Sequence, residues 1–502
     1  MSEESVIVIG AGLAGLSSGI YCQMNGYQTK IFEHHAVPGG VASYWKRKRF
    51  LIDGGIHFLM GFKPGTLLYD YYRELGIMPG SKVVEATTFG KFIDETSGKS
   101  VTITPDLDRF AEDLKANSPA DGAVIDDLIA GAKSMRGVDM STVGMSHPPE
   151  LTNIFGRVKE FWGMRRLWKY FSGKYGKSVA EYVKNIKDPW LAECIKNLFL
   201  PEVPVWFIFM ILALLADHQI GFLEGGCLDF VLALEKRFKD LGGQVTYRAT
   251  VKKILVENDR AVGVRLADGS EYRAKAVVSA ADGRSTIFEM LGGRYVDKNI
   301  KRRYGEWASF APFVLVSYGV AREFPDSPPF ITFKMKDPLT VNNKPIRGYF
   351  IRLLNYSRRF APPGKTVVQV EFESEWDYWD NLQREDRAQY DAEKERVAGE
   401  MLKQLEAHFP GISRQVEMID MATPFTLWRY TLNHKAAWEG WMITPETIKS
   451  SVKRTLPGLS DFYMAGQWVM PGGGVPPCLI SGRHIAQLLC KRDQKAFVTT
   501  KA

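Results

Sequence analysis

Three glycines and a glutamate near the start of the chain have the spacing of nucleotide chemistry. Gly10, Gly12 and Gly15 form a G-x-G-x-x-G turn directly after the apolar run Val6-Ile7-Val8-Ile9. A helical pattern follows from Leu13 to about Met24 and stops at Asn25-Gly26. The first glycine permits the tight turn, the second lets the backbone approach a pyrophosphate, and the third lets helix and strand pack closely; the helix N-terminus then faces the phosphates. Residues 29–33 read as a second strand ending in Glu33, where a carboxylate binds ribose hydroxyls and disfavours a 2′-phosphate. Strand, turn, helix, strand and acid form the context that a dinucleotide site requires. By itself this unit serves a nicotinamide or a flavin dinucleotide alike.

Three later blocks narrow the choice. Pro38-Gly39-Gly40 is followed by Phe50-Leu51-Ile52-Asp53-Gly54-Gly55-Ile56-His57. A block beginning Gly221-Phe222-Leu223-Glu224-Gly225-Gly226 runs to Val277-Val278-Ser279-Ala280-Ala281-Asp282. Near the end, Phe462-Tyr463-Met464-Ala465-Gly466-Gln467-Trp468 leads to Pro471-Gly472-Gly473-Gly474-Val475 and a helix expected from about Ile480. In this order the blocks resemble the FAD-dependent amine oxidase and phytoene desaturase superfamily, and the Gly-Ile-His wording most resembles its retinol saturase and carotenoid isomerase branch. The arginine that usually follows the glycine pair is Val41 here, with Lys46, Lys48, Arg47 and Arg49 as candidate substitutes.

The resemblance implies FAD as cofactor. The residues expected to hold it are Gly10, Gly12, Ala14, Gly15, Glu33, Gly39, Gly40, Val41, Gly55, Ile56, His57, Val251, Asp282, Gly466, Gln467, Gly474 and Val475. It places Val251 at the adenine and the closing glycine segment at the flavin pyrimidine edge, where the N–H groups of a helix start favour negative charge. His57 follows the segment expected beside the ring, and imidazole suits proton exchange near neutrality; a structural histidine bonded to its loop is the competing reading. Trp428 and Tyr430, with His434 beyond them, lie in or after a block resembling the family's substrate side, and join His57 as catalytic candidates. Asp217 and His218 close an apolar run as a second polar pair, or cap its helix. No Ser/His/Asp arrangement and no metal cluster is evident, so no metal is expected.

The elements that must position these residues give an α/β fold: a Rossmann-like FAD-binding domain interleaved with a mixed α+β substrate domain and a helical insertion. The FAD-binding parts are expected at residues 1–105, 221–299 and 431–502, a helical insertion at 106–220 and the substrate domain at 300–430. Residues 86–104 alternate as β-structure around a turn at 95–98, and 380–408 read as one charged amphipathic helix. Residues 203–216 form a 14-residue apolar run, short of the ~20 needed to cross a bilayer. It reads equally as a tunnel wall or a core helix. Residues 155–177 mix basic and aromatic side chains with a single acid, Glu160, and set Phe161, Met164, Trp168 and Phe171 on one helical face. That helix is either a peripheral membrane contact admitting a lipid or an ordinary solvated face.

Bulk properties set the remaining limits. At 502 residues the chain exceeds a single core. Its 65 Lys and Arg against 57 Asp and Glu leave a mild +8, which argues against nucleic acid as a partner and suits an anionic cofactor or lipid surface. Five cysteines without a C-x-x-C pair suggest a reducing compartment, and the Met-Ser-Glu-Glu-Ser start suggests no secretory leader, so a cytoplasmic, membrane-associated protein is expected. A homo-oligomer is left open. The resemblance implies a lipophilic polyene or isoprenoid substrate, desaturated, saturated or isomerised at C–C or C=C bonds. An oxidase of amines or unsaturated fatty acids is the alternative enzyme. Rab GDP-dissociation inhibitors, which carry prenyl groups on a similar fold without redox chemistry, give the non-enzymatic alternative.

Overall fold

Ser5–Ile9 is the central strand of a five-stranded parallel sheet. Gln28–Phe32 and Ala276–Ser279 flank it, and Gln244–Thr246 and Phe462–Met464 lie outermost. Its continuous β-branched run is buried because elements cover both faces of the sheet. The first helix, Leu13–Met24, lies on one face beside the closing helix, Val475–Arg492. The Ser17 hydroxyl donates to the Leu479 carbonyl at 2.6 Å. A three-stranded antiparallel sheet, residues 251–273, packs on the other face. The structure, a computed structural model, describes residues 4–139, 145–152 and 165–500.

A seven-stranded sheet builds the second layer. It runs in the order Val416–Ala422, Phe313–Val320, Thr366–Glu373, Lys344–Leu353, Phe330–Val341, Gly90–Asp94, Ser100–Ile103. Its last two strands come from residues that the sequence reading places in the first FAD-binding part. They belong here because Gly90–Asp94 pairs in parallel with Phe330–Val341, with Lys91 opposite Ile331. Two helices, Trp376–Glu385 and Arg387–His408, cover one face, where one helix was expected. Asp386 is extended (φ −144°, ψ 91°) and its carboxylate accepts from the Gln389 N–H, which starts a new helix.

The insertion between the sheets is mainly helical. Its apolar helix, Val205–Ala216, packs against Gly122–Met135, where Gly131 admits the Phe209 ring. The basic aromatic helix expected over 155–177 is not continuous. Arg165–Tyr170 and Gly173–Gly176 are separate 3₁₀ turns, broken where Ser172 is extended and Gly173 adopts φ +58°. Leu167 and Tyr170 are buried and Trp168 is exposed, so this stretch anchors in the core as well as facing solvent. Phe161 and Met164 lie outside the described residues.

Candidate functional site

One cavity of about 1670 Å³ runs from the ends of the parallel strands into the space between the insertion and the seven-stranded sheet. It exceeds the ~300–1,000 Å³ of ordinary ligand pockets and has room for a cofactor and a substrate end to end. Its polar end is built by the glycine turns. The first helix starts at Gly12 with no side-chain cap, leaving its early N–H groups for a ligand. Gly39 meets this turn, its N–H donating to the Ala11 carbonyl at 2.9 Å. Gly15 does not line the cavity. A Cβ there would fall 1.9 Å from the Gly10 carbonyl oxygen, so it sets the turn's shape. The other sixteen residues expected to hold FAD all line this cavity.

Glu33 sits at the end of its strand, 6 % exposed. Its carboxylate oxygens accept from the Ala11 N–H at 2.6 Å and the His35 N–H at 2.7 Å. Each oxygen keeps a lone pair for a ribose hydroxyl. Burial pushes this carboxyl up, against those two N–H groups. Asp282 is buried and also pushed up by burial, while the Ser285 and His434 N–H groups bond it at 2.7 and 3.0 Å. Uncapped helix start, close glycine turns and buried carboxylate together fit the adenosine diphosphate half of FAD.

The four basic residues considered as substitutes at Val41 do not line the cavity. Arg47 pairs with Asp420 at 2.6 Å, the Lys48 ammonium bonds the Glu417 carbonyl, and Arg49 lies 4.0 Å from Glu417. The Tyr44–Arg47 and Phe50–Asp53 hairpin turns Arg47, Lys48 and Arg49 toward Glu417 and Asp420, away from the cavity.

At the middle of the cavity His57 is held from behind. Its Nε2 lies 3.0 Å from Glu371 Oε2. Arg352, 1 % exposed, reaches Glu371 at 3.4 Å, Asp53 Oδ1 at 3.3 Å and the Asp53 carbonyl at 3.2 Å. Asp53 Oδ2 also accepts from the Cys227 N–H at 2.6 Å, so the D-x-G aspartate fixes a helix start and the arginine. Burial works to raise Glu371, yet His57 and Arg352 hold it below the usual carboxylate range. Burial likewise opposes charge on Arg352, and Glu371 and Asp53 more than offset it. The Nε2–Glu371 contact makes Nε2–H the donor and leaves Nδ1 as the acceptor in the neutral ring.

Trp438, Phe350 and Phe330 surround His57, with ring centroids at 5.7, 5.8 and 6.4 Å. Beyond them the cavity is apolar, with Phe89, Phe310, Phe313, Met442, Phe199 and Met210 on its walls. The apolar helix serves both readings of its sequence. Trp206, Phe207 and Met210 line the cavity, while residues such as Phe209 and Ile211 pack in the core.

Trp428 and Tyr430 line the same cavity, but their rings pack on neighbours other than His57. Trp428 packs on Trp376 and Phe425, with centroids at 5.6 and 5.5 Å, and Tyr430, 40 % exposed, meets His35 at 4.7 Å. Positive φ at Leu432, Lys435 and Ala436 turns the chain after their helix, and Trp438 is the residue that enters. His434 lines the cavity. Burial pushes its imidazole down, helped by Arg284 and Lys435. Asp217 and His218 cap and pair at the surface, with Arg136 at 2.7 Å and Glu85 at 2.6 Å. Sequence reasoning missed Glu371, Arg352 and Glu439. The first two interrupt apolar strands with a charge, which is their only sequence signal. Among the described residues no cluster of His, Cys, Asp or Glu could hold a metal ion, and no helix is long and apolar enough to cross a membrane.

A Rossmann sheet with a buried carboxylate at one end of a long cavity, and an apolar arm at the other, defines a dinucleotide-dependent oxidoreductase. The chain belongs to the flavin-containing amine oxidoreductase family, which it matches over residues 13–490, and is an FAD-dependent enzyme. It is 24 % identical over 500 residues to the chloroplastic prolycopene isomerase of Arabidopsis thaliana, covering 96 % of this chain and 82 % of that one. It is 25 % identical to the neurosporene-forming phytoene desaturase of Rhodobacter capsulatus, covering 96 % and 93 %. Solved structures similar in fold include an oxidoreductase from Methanosarcina mazei (TM-score 0.61, 18 % identity, 96 % of this chain and 100 % of that one). Cyclohexylamine oxidase from Brevibacterium oxydans has a TM-score of 0.58 at 12 % identity, covering 98 % and 99 %.

Proposed function

We propose that this enzyme acts on C–C or C=C bonds of a linear polyene or isoprenoid. The observation that carries the reading is the aromatic arm, continuous with the cofactor end and closed on His57. The relatives named for prolycopene and phytoene support it. Bound FAD supplies two-electron exchange at carbon. The protein's own residues do the rest. The N–H groups at the start of the first helix meet the diphosphate, and Glu33 accepts from the ribose. Phe330, Phe350 and Trp438 align an apolar chain and exclude water. His57, fixed by Glu371 through Nε2, takes or returns a proton at Nδ1. Trp168 is exposed, one turn before the Phe171 whose ring meets Trp206 on the cavity wall, which supports entry of the substrate from a lipid surface.

Anaerobic incubation with polyenes in detergent micelles tests the reading. Bleaching of the flavin band, reoxidation of prereduced flavin by the polyene, or a change of geometric isomer with prereduced flavin is expected. Bleaching by amines alone overturns it. Flotation with anionic liposomes tests lipid contact; protein that stays at the bottom of the gradient at low salt overturns that part.

A further inference from the structure

The closing helix presents an unusual start to the cavity. It begins after Gly474, which has φ +78° and no side-chain cap. A helix start ordinarily offers four free N–H groups. Here Pro476 and Pro477 occupy the first turn, and proline has no N–H. The Cys478 N–H already turns back to the Gly474 carbonyl. The terminus that should favour negative charge has therefore lost half of its donors to proline.

A carboxyl group stands where those donors are missing. Glu439 lines the cavity, one residue after the Trp438 that packs on His57. Its backbone presses on the glycine loop: a Cβ on Gly473 would fall 2.2 Å from the Glu439 carbonyl oxygen. Its Oε1 would lie 3.6 Å from a Cβ on Gly474, the residue that caps the helix. Among the described residues its carboxyl has no hydrogen bond and no ion pair. Burial alone pushes it up to about 8, so it holds its proton at neutral pH. The titratable group that feels its charge is Cys478, whose thiol burial pushes up to about 12. A protonated carboxyl is a hydrogen-bond donor, as an N–H is.

We propose that Glu439, as a neutral acid, donates a hydrogen bond to the flavin edge that the closing helix faces, replacing the N–H groups that Pro476 and Pro477 remove. The inference rests on the FAD assignment and not on the substrate. A donor at that edge stabilises negative charge on the reduced cofactor, so Glu439 sets how readily the cofactor is reduced.

The test is redox titration of the FAD-loaded protein from pH 6 to 9.5, without substrate, for wild type, Glu439→Gln and Glu439→Leu. Glutamine keeps a donor that cannot titrate; leucine has none. Wild type should show a break in midpoint potential near pH 8. Glu439→Gln should keep the neutral-pH potential and lose the break. Glu439→Leu should favour oxidised over reduced flavin at least tenfold more than wild type, a fall of ~30 mV for a two-electron couple. Either of two results overturns the proposal: both variants with wild-type potentials, or a glutamine variant that keeps the break. Loss of flavin from the leucine variant, with the glutamine variant indistinguishable from wild type at every pH, assigns Glu439 a packing role and also overturns it.

Discussion

Glu439→Gln should stabilise the flavin-free protein at alkaline pH and do little at acid pH. The unfolded chain ionises this carboxyl near 4.5, while the folded protein keeps it protonated to about 8. Between those values the folded state binds more protons than the unfolded one, so stability falls as pH rises through the window. The distance from 4.5 to about 8, at ~1.36 kcal/mol per pH unit, sets an upper bound of ~5 kcal/mol, complete above pH 8. At pH 5 the same linkage leaves about 1 kcal/mol or less. Glutamine has nearly the shape of the acid and no ionisation, so it removes this pH-dependent loss. At roughly 2 °C per kcal/mol for a large domain, the variant should gain up to ~10 °C in Tm over wild type at pH 8.5, shrinking to ~2 °C at pH 5. Differential scanning fluorimetry of apo-protein in matched buffers measures the gap. A gap of the same size at pH 5 and pH 8.5 would refute a buried, proton-holding Glu439, whatever its mean value.

Three further outcomes follow from the same geometry. Arg352→Met leaves Asp53 and Glu371 buried without their shared cation, which should cost about 3–5 kcal/mol and lower Tm markedly; a loss below ~1 kcal/mol in denaturant unfolding argues against a charged triad. Gly15→Ala forces a Cβ to within 1.9 Å of the Gly10 carbonyl, so the turn must shift; FAD dissociation followed by flavin fluorescence should weaken more than tenfold, and near-normal affinity contradicts a fixed turn. Glu371→Gln removes the charge that orients His57, so turnover should fall about as far as in His57→Ala and the double variant should be no worse than either; additive losses in kcat would mean that the two act separately.

The nucleotide end was legible because backbone conformation dictates its residues. A tight turn and a pyrophosphate approach demand glycine at Gly10 and Gly12, and a parallel strand buried on both faces demands Val6-Ile7-Val8-Ile9. The wall behind His57 was not legible for the opposite reason. Arg352 and Glu371 come from two paired strands of the seven-stranded sheet and meet Asp53 from a separate hairpin, so the spacing of the first two in sequence carries no pattern. Arg352 and Glu371 show only as a charge inside an apolar stretch, such as Glu371 within Val-Val-Gln-Val-Glu-Phe. Likewise, Trp428 and Tyr430 read as substrate-side residues and do line the cavity, but the aromatic ring that reaches His57 is Trp438, delivered by three left-handed residues beyond them. Local sequence does not forecast left-handed Leu, Lys and Ala, since tertiary packing imposes them.

Three of the acids around the cavity show how one fold separates their work. Glu33 has two backbone N–H donors and an exposed lone-pair side for a sugar. Glu371 has an arginine and a histidine, and stays ionised in spite of burial. Glu439 has neither and stays protonated. Burial acts to raise all three, so their partners alone decide which is acceptor, which orients an imidazole and which donates. An apolar arm sharpens this division, because aromatic walls offer no hydrogen-bond partner to an acid left alone. The apolar arm and a neutral, proton-holding Glu439 are therefore one arrangement: widening the arm to water, as Trp438→Ala would, should bring Glu439 down toward its ordinary range. The pH break in flavin potential would then move to lower pH, and a break fixed near pH 8 in that variant would show that desolvation by the arm is not its cause.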